Sequence, residues 1–430
     1  MNILWLRRDL RLEDNTALYY CSQEDTKFLP IFIFDKKILN KISDKTDTRV
    51  SFIHSTIRDL KLQLQKYGSD LKVFYGDPLE VFKMIHDNYD VEGVYSNEDY
   101  EPYAIKRDQK IKKYLSTIKV DFFQYKDQCI FSKNDILKND GKPYTVYTPY
   151  KNKWLSTLEP KDIVTVSFKK SKEKLFSIKS TQMIELSEMG FVESSLKFPK
   201  RIIRKNKIEE YKETRDFPAL DSTSHLSTHL RFGTVSVRKC AQVAYHSQDK
   251  TWLSELIWRE FFMQILYHFP HVTERAFKEK YEKIKWINDK KHFSLWCEGK
   301  TGYPLVDAGM RELNSTGFMH NRVRMITASF LVKHLLIDWK WGEKYFARKL
   351  LDFDLSANNG NWQWVAGTGC DSAPYFRIFN PETQMKKFDK DLKYIKKWVP
   401  EFGTDEYTEP IIEHRYAYNR ALMTYKKALS

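Results

Sequence analysis

Short apolar runs alternate with longer amphipathic stretches over the first 130 residues of the chain. The apolar runs, which are typical of buried strands, lie at 2–6, 28–34, 71–75, 91–96 and 120–125. The stretches with helical periodicity lie between them, at 48–67, 78–88 and 101–116. Strands and helices that alternate in this way form a parallel, doubly wound sheet with right-handed crossovers. The pattern predicts an N-terminal Rossmann-like α/β domain, although the GxGxxG dinucleotide motif does not follow the first strand.

The alternation of strands and helices stops near residue 127. Prolines, lysine runs and weak periodicity then indicate a long connector on the surface. Helical periodicity returns from residue 208, with predicted helices at 227–246, 251–268, 304–315, 320–338, 342–351 and 383–397. The expected fold class is α/β plus all-α, with an α/β domain over 1–127, an interdomain linker over 128–207 and a larger all-helical domain over 208–430.

The net charge of +15 is unevenly distributed along the chain. Residues 1–130 contain 21 basic and 21 acidic residues, so the remaining 300 positions hold 51 of the 72 basic and 36 of the 57 acidic residues. A basic C-terminal part joined to a neutral N-terminal part favours a polyanionic partner for the former. The alternative is a lysine-rich composition whose extra charges are merely solvated.

Several classes of protein are disfavoured by what the sequence lacks. No apolar run approaches the roughly 18 residues that span a membrane, and the opening residues do not read as a signal peptide. HExxH, CxxC, Walker-type and GxSxG motifs are absent, so metal-dependent hydrolysis, P-loop chemistry and α/β-hydrolase chemistry are disfavoured and no metal site is expected. The cysteines are scattered and odd in number, which predicts a reducing cytoplasm without disulfides: Cys21, Cys129, Cys240, Cys297 and Cys370.

Nine of the eleven tryptophans lie between Trp252 and Trp398, several of them in polar segments such as SELIWREFF and SANNGNWQW. Indole rings beside charged and amide side chains suggest that flat ring systems are stacked or exchange electrons there. A tryptophan-rich helical core is the alternative explanation, and it accounts for only part of the set.

Three constellations in the helical part could carry chemistry. Within 222–236, five hydroxyl residues at 222–228 crowd a predicted helix start, where exposed N–H groups favour a phosphate, although ordinary helix caps have the same composition. Glu255, Trp258 and Phe262 share one face of the helix 251–268, with Arg259 beside them. Such a face can hydrogen-bond and stack on a nucleobase, or it can be an amphipathic helix with an internal Glu255–Arg259 pair.

The third constellation begins with Asn321, Arg324 and Met325, which lie three and four residues apart at the start of a predicted helix. The segment 351–381 follows, with aspartates, asparagines, glycines and two tryptophans that a plain loop would rarely keep. Together they predict a shaped polar pocket.

Taken together, these segments resemble the photolyase/cryptochrome family, most closely its class I cyclobutane pyrimidine dimer photolyases. The resemblance covers nearly the whole chain, from the opening LWLRRDLRLEDNTAL through DYEPYAIKRD at 99–108 to PYFRIFNPETQMKKFD at 374–389. Its most specific stretches are ELIWREF at 255–261, the segment 302–339 and ANNGNWQW at 357–364.

The resemblance implies an FAD cofactor held in a U shape by the helical domain. The positions that match the family's FAD contacts are Tyr211, Thr223, Ser224, His225, Leu226, Ser227, Trp252, Arg259, Arg324, Asp352, Phe353, Asp354 and Asn358. Arg324 and Asp352 match an ion pair on the isoalloxazine ring, and Asn358 matches the residue that faces its reactive nitrogen. His225 stands where many relatives carry arginine, Thr228 where proline is frequent and Asn361 where glycine is common.

The resemblance also implies light-driven repair of pyrimidine dimers in ultraviolet-damaged DNA, in which excited, fully reduced FAD passes an electron to a flipped-out dimer. The positions that match lesion and DNA contacts are Arg215, Glu255, Trp258, Phe262, Asn321, Arg322, Met325, Trp364 and Gln384. Glu255 would hydrogen-bond the dimer, and Trp362, Trp339 and Trp286 match a relay that photoreduces oxidised FAD. The alternative for Trp286 is an ordinary surface aromatic. A monomer is expected.

An antenna chromophore in the α/β domain is a further expectation. Tyr103 and Ala104 stand where folate-binding relatives carry asparagine and glutamate, which disfavours folate. Four residues resemble a deazaflavin- or FMN-binding pocket: Phe34, Asp35, Arg49 and Asp99. A ligand outside the carboxyl ends of parallel strands is also where an open sheet binds one.

Three rival functions remain open at this point. A cryptochrome-type blue-light receptor is the leading alternative, but such receptors often carry long C-terminal tails and replace the asparagine that Asn358 matches. Repair of the other major ultraviolet photoproduct is the second, and Asn321 disfavours it. A light-independent nucleic-acid-binding module fits the charge but leaves the tryptophan-rich segments unexplained.

Overall fold

The computed structural model describes every residue of the chain, 1–430. The chain forms two compact units built from interleaved segments: Met1–Ile136, Lys153–Ile203 and His225–Ser247 in the first, and Leu137–Asn152, Arg204–Ser224 and Gln248–Ser430 in the second. These units differ from the three predicted ranges, 1–127, 128–207 and 208–430. Most of the predicted linker and the helices of 225–247 group with the first unit, because the chain returns to it twice.

A parallel five-stranded sheet in the order β3-β2-β1-β4-β5 forms the centre of the first unit. Its strands are β1 Asn2–Leu6, β2 Phe28–Asp35, β3 Lys72–Gly76, β4 Gly93–Asn97 and β5 Asp121–Tyr125. The predicted doubly wound sheet is confirmed, with strand bounds shifted by two residues at most. β1, β2 and β4 are buried along their whole length, which is why they read as continuous apolar runs.

Nineteen α-helices follow one another along the chain. They are α1 Thr16–Cys21, α2 Lys36–Leu39, α3 Thr48–Gln65, α4 Pro78–Asn88, α5 Pro102–Thr117, α6 Tyr147–Thr157, α7 Lys205–Glu209, α8 Tyr211–Thr214, α9 Ser227–Phe232, α10 Val237–His246, α11 Thr251–His268, α12 Lys290–Glu298, α13 Pro304–Thr316, α14 Asn321–Ser329, α15 Trp339–Lys349, α16 Leu355–Ala366, α17 Pro381–Phe388, α18 Lys393–Trp398 and α19 His414–Leu429. The second unit is all-helical, as predicted, and none of the helices is long and apolar enough to cross a membrane.

The predicted helix over 227–246 is in fact two helices, α9 and α10, which belong to the first unit. The break falls at Gly233, whose φ of 64° is a left-handed conformation that ends α9. A Cβ atom at this position would lie 2.6 Å from the Cα of Asp9. Glycine therefore lets the chain approach the residues that follow β1.

Two other predicted helices are also interrupted. The predicted helix over 320–338 ends as α14 at Ser329 and continues as one π-helical stretch, Phe330–His334. The predicted helix over 383–397 is split into α17 and α18 because the Asp389 carboxylate accepts hydrogen bonds from the backbone N–H groups of Tyr394 and Ile395, at 3.0 and 2.9 Å. Periodicity continues through both breaks, so it could not reveal them.

The segment that we predicted to be an irregular polar pocket contains a helix, α16. Asp354 caps it by accepting hydrogen bonds from the backbone N–H groups of Ser356 and Ala357, at 3.1 and 3.2 Å. α16 packs closely on two neighbours, since a Cβ at Gly360 would overlap the Phe262 ring of α11 and one at Gly342 of α15 would overlap the Trp362 ring. The amide-rich sequence hid this helix because its side chains bond to neighbouring elements instead of forming an apolar stripe.

His334, in the π-helical stretch, is fully buried between Phe330 and His414. Its Nε2 lies 2.8 Å from Nδ1 of His414. Burial, together with the neighbouring His414 and Arg420, lowers the pKa of His334 to about 3. The folded protein therefore holds this imidazole neutral, whereas the unfolded chain takes up a proton near the ordinary pKa of about 6.5.

Stability should consequently fall as the solution is made acidic. Because the folded pKa of His334 is depressed, its contribution is complete above about pH 6.5 and is lost as the pH falls towards 3. Between pH 7 and pH 5 we expect the free energy of unfolding to drop by about 2 kcal/mol from this residue. Urea unfolding at several pH values should show a shallower slope for His334→Phe than for the wild type. The exposed His246, replaced in the same way, should leave the slope unchanged.

Candidate functional site

A pocket in the second unit lies between the start of α14, the end of α15 and the first turns of α16. Eight of the residues predicted from the sequence line it: Asn321, Arg324, Met325, Asp352, Phe353, Asp354, Asn358 and Trp362. The remaining lining residues are mostly apolar: Ala328, Phe346, Leu350, Ala357, Asn361 and Val365. The structure thus gathers into one cavity residues that are spread over more than 40 positions of the sequence.

An ion pair between Arg324 and Asp352 forms the charged part of the pocket wall. Nη2 of Arg324 lies 2.9 Å from Oδ2 of Asp352, and its Nε donates to the backbone oxygen of Met319 at 2.7 Å. The Asp352 side chain is 6% exposed and that of Arg324 is 24% exposed. The guanidinium is therefore held rigidly by two acceptors while part of its surface still faces the cavity.

Asn358, on the second turn of α16, is oriented by Glu343 of α15. The Asn358 amide nitrogen donates to Oε1 of Glu343 at 2.8 Å and to the Glu343 backbone oxygen at 3.1 Å. Burial raises the pKa of the Glu343 carboxyl, and the hydrogen bond from Asn358 opposes that rise. Because the amide nitrogen is engaged on the α15 side, the amide oxygen is the group that Asn358 can offer to a ligand.

A second cluster surrounds the exposed face of α11. Nη1 of Arg215 donates a short hydrogen bond to Oε1 of Glu255. Burial raises the pKa of the Glu255 carboxyl, and the charge of Arg215 opposes that rise. The Glu255 side chain nevertheless keeps 38% of its surface exposed, so it lies in a recess that solvent or a ligand can enter.

Aromatic rings lie beside this carboxylate. Trp258 is half-buried and stacks against Phe262, one turn further along α11, with ring centroids 5.5 Å apart. The ring of Tyr147 covers Trp258 with a centroid distance of 3.5 Å and an interplanar angle of 7°. A carboxylate, a guanidinium and a partly accessible indole therefore share one recess.

The first turn of α14 takes part in both clusters. Asn321 and Met325 line the pocket. Between them, Arg322 points towards the segment before α9, where its Nη2 lies 2.7 Å from Oδ1 of Asp216. The Arg322 guanidinium also lies over the Phe388 ring, 4.5 Å from its centroid. Two arginines, Arg215 and Arg322, are thus held by internal carboxylates close to the recess.

The three tryptophans that we predicted to form a relay belong to the second unit. Trp362 lines the pocket, Trp339 is buried at the start of α15, and Trp286 is partly exposed. Trp339 and Trp362 belong to one core cluster, and Trp286 packs against it.

The remaining predicted cofactor and DNA residues are placed as follows. Tyr211, Thr223 and Ser224 belong to the second unit, whereas His225, Leu226 and Ser227 belong to the first. The other four residues belong to the second unit but do not line the pocket. Trp252 is buried, and Arg259, Trp364 and Gln384 are half-buried. His225 has a φ of 53°, a left-handed backbone conformation that is uncommon for a residue with a side chain.

The structure gives the predicted antenna residues separate surroundings. Asp35 ends β2 and accepts a hydrogen bond from the Tyr103 hydroxyl at 2.7 Å. Arg49 pairs with Asp47 at the start of α3. Asp99 follows β4 and lies 3.2 Å from Nη1 of Arg8. Phe34 is buried within β2.

The Asp99 carboxylate has a distinct electrostatic environment. Burial favours a higher pKa for Asp99, but the neighbouring guanidinium groups of Arg8, Arg7 and Arg231 hold its pKa below the usual range. This cluster lies at the carboxyl ends of β1 and β4, where the strand order of the sheet reverses. An open sheet of this type binds ligands at that point.

Three residues that orient predicted side chains, Tyr147, Asp216 and Glu343, were not themselves predicted from the sequence. Tyr147 lies in the predicted linker, Asp216 lies in an irregular segment, and Glu343 was treated as an ordinary helix residue. Each acts through a partner that is distant in sequence, so no local pattern marked it. The aromatic-rich stretch around Tyr147 was the only signal available.

Comparisons with known proteins agree on one family. A family model described as the FAD binding domain of DNA photolyase matches residues 252–405, and one described as DNA photolyase matches residues 2–168. The chain is 36% identical to a deoxyribodipyrimidine photo-lyase of Synechococcus sp., over 96% of this chain and 93% of that protein.

Two solved structures resemble the whole chain. A class III photolyase from Agrobacterium tumefaciens superimposes with a TM-score of 0.88 at 32% identity, over 99% of this chain and 97% of that one. A photolyase from Sulfolobus tokodaii, solved with two FAD molecules, superimposes with a TM-score of 0.86 at 35% identity, over 99% and 100% of the two chains.

Proposed function

The chain belongs to the DNA photolyase family, and on that premise we propose that it is a deoxyribodipyrimidine photo-lyase that uses FAD and light to split cyclobutane pyrimidine dimers in DNA. The observation that carries the proposal is the pairing of two sites in the second unit. The first turn of α14 lines a pocket with an Arg324–Asp352 wall and an amide at Asn358, and its Arg322 pairs with Asp216, the neighbour of the arginine that binds Glu255. The pocket suits a flavin, and the recess that holds Glu255 and Trp258 suits a flipped-out pyrimidine dimer.

The residues of the pocket fit an isoalloxazine ring. The guanidinium of Arg324 and the amide of Asn358 are hydrogen-bonding groups of the kind that a ring with carbonyl and N–H edges requires. Phe346, Trp362 and Ala357 provide apolar walls that a flat ring can contact. Tyr211, Thr223 and Ser224 of the same unit would hold the phosphate and ribityl parts. When bound and fully reduced, FAD supplies a light-driven electron to the dimer.

The protein's own groups prepare the lesion for that electron. Displacing a dimer from the duplex costs a few kcal/mol, which stacking on Trp258 and Trp364 would offset at roughly 1–3 kcal/mol per base. Asn321, Met325 and Phe262 would shape the remaining walls of the recess. Arg215 and Arg322 lie at its edge and, with Gln384, would contact DNA phosphates and neighbouring bases.

Glu255 is the group that responds to charge on the dimer. Burial raises the pKa of Glu255 and so favours its protonated carboxyl, whose O–H can donate to a pyrimidine carbonyl when that oxygen becomes negative. A phosphate that draws Arg215 away would raise the pKa of Glu255 further, because the opposing positive charge would then be lost. DNA binding would in this way favour the donating form of Glu255.

We further propose an antenna chromophore in the first unit, of deazaflavin or flavin type. The supporting feature is the reversal of strand order between β1 and β4, where an open parallel sheet binds its ligands. The Sulfolobus tokodaii photolyase, whose structure contains two FAD molecules, adds FAD to FMN and deazaflavin as candidates. A monomer acting in the cytoplasm completes the proposal.

The decisive experiment has two steps. The absorbance spectrum of the purified protein should first show a flavin. The reduced protein is then mixed with oligothymidylate that contains cyclobutane dimers, and blue light should restore the ultraviolet absorbance of thymine, whereas a dark sample should not change. A coloured protein that fails to restore it would contradict the repair proposal and favour a light receptor.

Replacing Glu255 by alanine should slow the splitting of the dimer while leaving FAD bound. A hydrogen bond to a charged group contributes about 1.5–3 kcal/mol, so the rate constant of ring splitting should fall about tenfold or more. Flash photolysis of the pre-reduced protein with saturating dimer-containing oligothymidylate measures this rate. Glu213→Ala removes an exposed carboxylate from the same neighbourhood and should have no effect. An unchanged rate for the Glu255 variant would remove Glu255 from the mechanism.

A further inference from the structure

Tyr147 lies in a segment that is a linker by its sequence, yet it packs against the lesion recess of the second unit. Its ring is parallel to the Trp258 indole within 7°, with ring centroids 3.5 Å apart. This separation corresponds to face-to-face contact, so the phenol ring covers one face of the indole. Trp258 itself remains half-buried.

Three contacts hold Tyr147 in this position. Its hydroxyl donates to the backbone oxygen of Ser254 at 2.8 Å, and its backbone N–H donates to Oδ2 of Asp371 at 2.9 Å. Its ring edge packs on Phe261, with centroids 5.8 Å apart and planes at 76°. Tyr147 is only 7% exposed. It is therefore a fixed back wall for the indole and is not a side chain that a ligand could displace or stack upon.

Tyr147 also adjoins the carboxylate of the recess. Burial raises the pKa of the Tyr147 hydroxyl, and the nearby charge of Glu255 raises it further. The phenol consequently stays protonated and keeps its hydrogen bond to Ser254, one turn before Trp258 on α11. The same side chain thus borders the stacking residue and the acid that we assign to the lesion.

We propose that Tyr147 is a positioning residue for dimer recognition, which acts through Trp258 by holding the indole in the orientation that stacks on a flipped-out dimer. The inference rests on the proposed function, because it needs a lesion in the recess. Undamaged DNA does not fill the recess, so Tyr147 should affect affinity for the dimer and leave affinity for undamaged DNA unchanged.

The test compares Tyr147→Leu with the wild type as FAD-loaded protein in the dark. An aromatic pair contributes about 0.5–1.5 kcal/mol beyond its buried area, so the dissociation constant for dimer-containing oligothymidylate should rise about 2- to 12-fold. The dissociation constant for undamaged oligothymidylate and the flavin spectrum should not change. Tyr147→Phe keeps the ring and should stay close to the wild type. Tyr144→Leu alters a half-buried ring of the same segment that packs on Tyr150 instead, and should have no effect on dimer preference.

A double-mutant cycle then separates positioning from a direct contact. If Tyr147 acts through Trp258, Tyr147→Leu should cause no further loss of dimer affinity in a Trp258→Leu background. Additive losses, or an equal loss for damaged and undamaged DNA, would overturn the inference. Should Tyr147→Leu not fold, Asp371→Ala releases the backbone anchor and should weaken dimer binding in the same direction. A wild type with no preference for dimers would overturn the proposed function and this inference together, whereas a wild-type preference that Tyr147→Leu retains would overturn the inference alone.

Discussion

The Trp286→Phe variant should lose light-driven reduction of its oxidised flavin completely, while the pre-reduced variant should repair dimers as well as the wild type. Trp286 is the partly exposed member of the three tryptophans that we expect to form a relay. Phenylalanine keeps the packing against Tyr425, whose ring lies 6.0 Å away, but it is too difficult to oxidise to pass an electron on. The repair step needs no electron from the surface, so it should be spared.

Hydrogen bonds connect the segment of Trp286 to the residues that precede Trp339. The N–H of Ile287 donates to the backbone oxygen of Leu336 at 2.7 Å, and Oδ1 of Asn288 accepts from the N–H of Asp338 at 2.8 Å. These bonds hold the segment of Trp286 against the residues that lead directly into Trp339. One turn further along α15, Gly342 lies against the Trp362 ring, and Trp362 lines the pocket.

The measurement is the loss of the oxidised flavin absorbance under blue light with an external reductant. Trp341 offers a matched control. It lies on α15, two residues after Trp339, but packs edge-on against Phe293, with ring centroids 5.1 Å apart. Trp341→Phe should therefore photoreduce normally. Normal photoreduction in the Trp286 variant would show that Trp286 is an ordinary surface aromatic.

The Arg324→Leu variant should bind FAD roughly 100-fold more weakly than the wild type, and it should be purified largely colourless. A hydrogen bond from a charged group to a ligand contributes up to about 3 kcal/mol, so loss of the guanidinium's contact with the flavin corresponds to roughly 100-fold in affinity. The variant also leaves a buried charge unpaired, which destabilises the pocket wall. Here the charge left behind is Asp352, whose side chain is only 6% exposed. The hydrogen bond to Met319, which joins the start of α14 to the pocket wall, would be lost as well.

Arg311 makes a closely similar set of contacts away from the pocket. Its Nε donates to the backbone oxygen of Gly299 at 3.0 Å, and its Nη1 lies 2.6 Å from Oε1 of Glu401. Arg311→Leu should therefore lower stability without lowering the affinity for FAD. Titration of the apoprotein with FAD, followed by flavin fluorescence, compares the two variants. Equal affinities for FAD in both variants would exclude Arg324 from the cofactor site.

Much of the fold follows from local composition. The strands β1, β2 and β4 are buried on both faces, so each appears as an uninterrupted apolar run that any reader of the sequence can find. Helix α11 was predicted with its observed bounds, Thr251–His268, since its length and composition leave no competing structure. Helix ends that depend on distant groups were not predictable. α9 ends where Gly233 meets the backbone near Asp9.

The candidate site also has a part that the sequence predicted and a part that it could not predict. The residue types that line the pocket were evident from the sequence and from the family it resembles. Their partners were not: Glu255 is paired with Arg215, 40 positions away, and Arg322 with Asp216, 106 positions away. The local alternative, a pair between Glu255 and Arg259 on one helix, was equally compatible with the spacing.

The sequence by itself therefore determined the set of elements and the chemical character of each segment. Burial of one face of a strand or a helix repeats apolar residues every two or 3.6 positions, and this period can be seen in the sequence. What only the tertiary structure decided is which polar groups meet, since a contact between distant segments depends on the path of the chain and leaves no local period. Glu343 behind Asn358 and Tyr147 behind Trp258 are of this second kind. Glu343 and Tyr147 contact Asn358 and Trp258, the residues that the sequence had already predicted to be functional.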